Sequence, residues 1–178
     1  MSTKLNDPLL IAAKVIVVIA RILTIVGMVV LGLVSTALLT VGHSKLAGKL
    51  AEADIPPEGL WGIVLAMLVG AGLLYLAFRF FGELSGIIDS VGEGEPFRAD
   101  NADRLRRMGW ITVIAQAAFL PLAGIAAWFA PYADKADAHL HIDGGLDGGS
   151  ILLTLILFIL ARVFREGTRM REELEGTV

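Results

Sequence analysis

The stretch Gly82–Arg107, GELSGIIDSVGEGEPFRADNADRLRR, decides how this chain is read. It is a polar bridge between two long apolar runs, dense in charge, turn residues and capping residues. Leu84, Ile87, Ile88 and Val91 recur at i, i+3, i+4 and i+7, so the bridge opens as an amphipathic continuation of the helix before it. Gly92 and Gly94 end that helix, and Pro96 forbids its continuation. Asp100 or Asn101 is placed to cap a new helix, with Asp103 in a first turn where the macrodipole favours an acid. That helix runs through Leu105 and Met108 into the next apolar run.

Outward from the bridge the sequence is blocky. Hydrophobic residues make up 56% and the mean hydropathy is +0.73, against about 45–50% apolar residues in a globular domain. Residues 22–42 carry no charge, and at about 1.5 Å per residue they cross a hydrocarbon core of about 30 Å. The spacing predicts an all-α integral membrane protein, a four-transmembrane-helix bundle. Its spans are approximately 15–42, 59–81, 109–129 and 147–164, with a bridge over 82–108 and a helical tail over 165–178. The first span reads as a retained signal anchor rather than a cleaved signal peptide. Lys14 and Arg21 share a face there and are read as reaching into lipid headgroups.

Within the spans, Gly62, Ala66 and Gly70 form a small-residue stripe suited to close helix approach. Trp61 and Arg79 mark the two interfaces of the second span, and Arg79 can pair with Glu83. Pro121 predicts a kink in the third span, and Gln116 is read as bonding a neighbouring helix. His43–Glu58 is a polar connection closed by Pro56-Pro57. The second connection, Ala130–Gly149, allows a short strand at His139–Ile142. In the tail, Arg162–Glu166 and Arg169–Glu173 are spaced as i, i+4 pairs.

Charge distribution predicts sidedness. The N-terminal segment, the bridge with Arg79, and the tail hold 12 of the 15 Lys and Arg residues. The two remaining connections hold only Lys45, Lys49 and Lys135. By the positive-inside rule both termini, the bridge and the tail face the cytoplasm of a bacterial inner membrane.

Chemistry is sparse. With no cysteine, thiolate catalysis and Cys-based metal sites are excluded. All three histidines lie in the outward connections, so none shares a side of the membrane with the bridge acids, and no triad or cofactor motif emerges. His139, His141 and Asp143 have a spacing that puts three ligands on one face, but the bland reading is a solvated acidic loop. Arg104, Arg106 and Arg107 lie among Glu93, Glu95, Asp100 and Asp103 in a chain of pI about 5.6, so direct nucleic-acid binding is not expected. Asp89, on the amphipathic extension, is read as a structural acceptor for a bridge arginine.

The residues Gly94, Pro96-Phe97, Asn101, Arg104-Leu105-Arg106 and Trp110 resemble those of a family of small bacterial four-span membrane proteins, the domain of unknown function 2975. In the tail the likeness is carried by Val163-Phe164-Arg165-Glu166-Gly167, Arg171-Glu172-Glu173 and Thr177-Val178. It covers roughly residues 78–178. The family it resembles has no established enzymatic activity, and with no catalytic or cofactor motif in the sequence neither an enzyme nor a cofactor is expected. The resemblance implies a regulatory membrane protein whose members are often encoded beside a small helix-turn-helix regulator. The expectation is a cytoplasmic face that binds or restrains such a partner through Pro96, Phe97, Arg98, Asp100, Asn101, Arg104 and Arg107 of the bridge and Arg165, Glu166, Arg169 and Glu173 of the tail. The alternative is a small transporter or channel component working as a homo-oligomer. For the topology, a reporter active only in the periplasm and fused to either terminus should give no signal; a strong signal would overturn the assignment.

Overall fold

The computed structural model describes residues 8–52, 54–135 and 148–175, and these are helical with short connections. Helix α1 (Pro8–Ala37) passes through a π-helical turn (Leu38–Gly42) into α2 (His43–Glu52); α3 (Gly59–Gly92), α4 (Ala99–Lys135) and α5 (Gly148–Glu175) follow. Four segments are long and apolar enough to cross a membrane: Pro8–Thr40, Gly59–Gly92, Ala99–Tyr132 and Gly148–Leu174. This is the pattern of a multi-pass membrane protein. At most 11% of the residues in the most apolar window of each are buried, so most of these side chains keep some surface for lipid to cover.

Helix α2 falls where the sequence reading placed only a polar connection. Leu46 and Leu50 recur at helical spacing, and Leu50 is buried. The amide of Ile55 donates to the Leu50 carbonyl at 2.8 Å, that of Asp54 donates to Ala51 at 3.1 Å, and Asp54 takes a φ of 59°. This left-handed residue with its paired bonds closes the short helix. Pro56 and Pro57 then start α3, their carbonyls accepting from Gly59 and Leu60.

The expected four-helix bundle is an open row. Helix α1 packs on α3, α3 on α4 and α4 on α5; no other pair of these long helices meets among the described residues. The stripe of small residues on α3 serves two neighbours, because positions four apart drift around a helix of 3.6 residues per turn. A side chain at Gly62 would meet Phe129 of α4 at 3.1 Å, whereas one at Gly70 would meet Leu31 of α1 at 3.5 Å.

Polar groups knit α4 to α5. Gln116 Nε2 donates to Thr154 Oγ1 at 2.9 Å and to the Ser150 carbonyl at 3.2 Å, and the Thr154 and Thr112 hydroxyls lie 2.9 Å apart. Gln116 thus bonds a neighbouring helix, as its sequence position predicts. Such bonds contribute about 0.6 and at most roughly 1.7 kcal/mol each within a bilayer.

Several charges choose other partners than the sequence assigns. Lys14 donates to Asp89 at 2.7 Å, joining the start of α1 to the end of α3. Arg21 lies over the Phe78 ring, 4.8 Å from its centroid, a cation–π contact between α1 and α3. Asp89 therefore accepts from Lys14 and not from a bridge arginine. Arg79 donates to the Tyr75 hydroxyl at 3.3 Å, and Glu83 belongs to Arg107 instead.

The buried core lies at the bridge end. Leu105, Met108, Leu157 and Ala161 are buried, with Phe80, Leu84, Ile87 and Phe164 packed against them. The amphipathic stripe on α3 divides here: Leu84 and Ile87 meet this core, while Ile88 lines a cleft toward Leu10 and Val15 of α1.

Candidate functional site

The bridge is built from a helix stop. Gly94 takes a φ of 82°, its amide donates to Val91 at 3.0 Å, and the Glu95 amide donates to Ser90 at 3.0 Å. These paired bonds form a Schellman turn, which needs a left-handed residue at its hinge and so favours glycine. Pro96 follows at the position where a further helical turn is forbidden.

Helix α4 starts at Ala99, so neither Asp100 nor Asn101 caps it from outside. Asp100 falls in its first turn and Asn101 already lies within it, its amide donating to Arg98 at 3.0 Å. The Asn101 side chain, 1% exposed, turns back toward α3. Its amide donates to Ser90 Oγ at 2.6 Å and to the Pro96 carbonyl at 2.9 Å, and Ser90 passes the bond on to the Ile87 carbonyl at 2.7 Å. One side chain thus ties the last turn of α3, the proline turn and the first turn of α4. Asn101 holds this surface from within and cannot itself touch a partner.

The tail completes the site. Phe97 stacks at 5.3 Å on Phe164 of α5. A side chain at Gly167 would meet the Phe97 ring at 3.0 Å, so glycine lets the ring sit this close without shifting. The Thr168 hydroxyl has two carbonyls within reach of its one hydrogen, Phe164 of its own helix at 2.9 Å and Phe97 at 3.2 Å, and Arg165 reaches Asp103 at 3.5 Å. Phe97, Arg98, Ala99 and Asp100 of the bridge, with Thr168, Arg171 and Glu172 of the tail, enclose a shallow cavity of about 260 Å³. Phe97 remains 44% exposed at its edge.

The candidate residues therefore divide. Pro96, Phe97, Arg98, Asp100 and Asn101 are together, with Arg98 bridged to Glu93 at 3.1 Å and to Asp100 at 3.8 Å. Arg165 joins them through Asp103. Arg107 lies lower on α4 in a forked pair with Glu83, at 2.8 and 3.0 Å. Arg104 extends across α3 over Gly86, whose missing side chain makes room for the guanidinium. Glu166, Arg169 and Glu173 form a ladder on α5 itself, with Arg169 held to Glu166 and, at 3.7 Å, to Glu173. Glu166 thus pairs with Arg169 and not with Arg162.

Sequence reasoning missed Ser90, Thr168 and the Glu83–Arg107 fork. The Gly94-x-Pro96 pattern signalled the turn, but nothing local signalled which side chains would close it. His139, His141 and Asp143, with the strand expected at 139–142, lie outside the described residues. No group of acids and histidines able to hold a metal ion occurs among the described residues.

A family model described as "Protein of unknown function (DUF2975)" matches residues 40–178. No curated protein and no solved structure matches the chain.

Replacing Asn101 with alanine would leave the buried Ser90 hydroxyl and the half-buried Pro96 carbonyl without their donor, at a cost of about 1–3 kcal/mol. Unfolding of the reconstituted protein should show that loss together with greater accessibility of Phe97. An unchanged midpoint would contradict the role given to the amide.

Proposed function

The chain belongs to the DUF2975 family, proteins of unknown function, and from that premise we propose a non-enzymatic regulatory membrane protein whose bridge and tail dock a small soluble partner. The partner class is a helix-turn-helix transcriptional regulator, held or released at the cytoplasmic face of a bacterial inner membrane. One observation carries the reading: bridge and tail, far apart in sequence, close on each other around Phe97. Two segments that served only to exit the membrane would not need a buried asparagine, a glycine seat and an aromatic stack to join them.

The chemistry of the surface fits a protein partner. Phe97 supplies a half-exposed aromatic anchor, of the kind that concentrates binding energy. Around it Arg98, Asp100 and Glu172 present both signs of charge, which sets partner choice more than affinity. An outward signal would act by shifting the helix row between packings, and a partner preferring one packing would read it.

The transporter reading draws its support from the polar groups between α4 and α5. Those groups bond one another across the interface, which favours a helix-joining role over a solute path.

Co-purification from membranes, with the neighbouring genes expressed, should recover a soluble partner. Phe97→Ala should weaken its retention about tenfold, the equivalent of about 1.4 kcal/mol. Recovery of no soluble partner by the unaltered protein would defeat the proposal.

A further inference from the structure

We propose that Arg106 and Arg162 form a headgroup site for an anionic phospholipid on one flank of the α4–α5 pair. Two contacts fix that flank. Asp103 of α4 meets Arg165 of α5 at 3.5 Å, and nearer the apolar spans the Trp110 and Phe158 rings meet edge to face at 5.8 Å. Asp103, Arg106 and Trp110 fall on one stripe of α4, as Phe158, Arg162 and Arg165 do on α5, because residues three and four apart share a helix face. The helices run in opposite directions. Arg106 and Arg162 therefore stand at the same level, between the ion pair and the aromatic pair.

Both arginines are exposed, and neither has an ion pair or hydrogen bond to any described residue. Arg98, Arg107, Arg165 and Arg169, on the same helix ends, all have carboxylate partners. Two unneutralised cations at one level of adjacent helices repel, and an anion between them reverses the sign of that interaction. Guanidinium groups suit phosphate, which they hold through paired N–H donors.

Position selects a lipid as the source of the phosphate. Residues 108–133 of α4 and 148–161 of α5 carry no charge, and Arg106 and Arg162 are among the first cations beyond these uncharged runs. Trp110, 52% exposed, borders the site on the apolar side; tryptophan concentrates at headgroup level, and basic clusters beside spans attract anionic lipid. A phosphate held there leaves its acyl chains alongside Trp110 and Phe158, whereas a free ion would forgo that contact.

The test uses the full chain in vesicles, with W61F/W128F leaving Trp110 as the single indole. Quenching by phosphatidylglycerol brominated on its acyl chains is compared with quenching by equally brominated phosphatidylcholine at the same mole fraction. The glycerol lipid should quench more strongly. Its preference should fall about fivefold for each of R106Q and R162Q, persist in R106K/R162K, and be unchanged in R98Q, whose guanidinium is already paired. Inorganic phosphate in solution should not compete. Equal quenching by both lipids, an undiminished preference in both single variants, or an equal fall in R98Q would overturn the site. Loss of the preference on adding inorganic phosphate would assign the arginines to a free anion and overturn the lipid source. Helix content by circular dichroism accompanies each variant, and a misfolded one is replaced as a readout by the other single substitution.

Discussion

The Asn101 side chain is almost wholly enclosed, and both hydrogens of its amide are engaged, one by Ser90 Oγ and one by the Pro96 carbonyl. A buried amide without partners is costly, so this arrangement persists only while all three segments keep their places. The α3 stop, the proline turn and the α4 start are therefore one unit. That unit fixes where Leu105 and Met108 fall against Leu84 and Ile87, and where Phe97 emerges to meet α5. Without it, the Schellman turn would still end α3, but the start of α4 would lose its tie to that turn.

The distribution of packing follows the two solvents. Along the spans lipid is as apolar as leucine, so burial between helices gains little and the row can stay open. At the bridge end water makes burial of apolar surface favourable, at about 25 cal/mol per Å². The buried core sits astride the boundary between the two solvents, with Leu84, Ile87 and Leu105 on the bridge side and Phe80, Leu157 and Ala161 at the ends of the apolar spans. The exposed ion pairs at that end, such as Arg98–Glu93 and Arg165–Asp103, contribute at most about 1 kcal/mol each in water. They select register and partner more than they hold the fold.

Much of this architecture is legible in the sequence, for physical reasons that also mark where reading stops. Uncharged runs long enough to cross a bilayer announce the first three spans, the shorter run 148–161 announces the fourth with Arg162 at its edge, and the Leu84–Val91 periodicity announces that α3 outlasts its span. Gly94 and Pro96 announce the stop between them. Partner choice among charges was not legible. Local spacing offers Glu83 to Arg79, but a forked pair with Arg107 from the next helix supplies two bonds in place of one. Lys14 and Asp89 are likewise distant in sequence and adjacent in space. Helix α2 escaped notice because its apolar positions are few and its stop relies on an aspartate in a left-handed conformation. In the candidate site, Pro96 and Phe97 stood out as turn residues, whereas Ser90 and Thr168 became visible only with α5 in place.

The central claim is that the bridge is a folded unit closed from within, and hydrogen exchange in the membrane-reconstituted protein reads it most directly. The amides of Glu95 and Asn101, bonded to Ser90 and Arg98, should exchange as slowly as amides in the adjoining turns of α3 and α4. Exchange of that segment at the rate of an unstructured peptide, with the flanking helices still protected, would contradict the account.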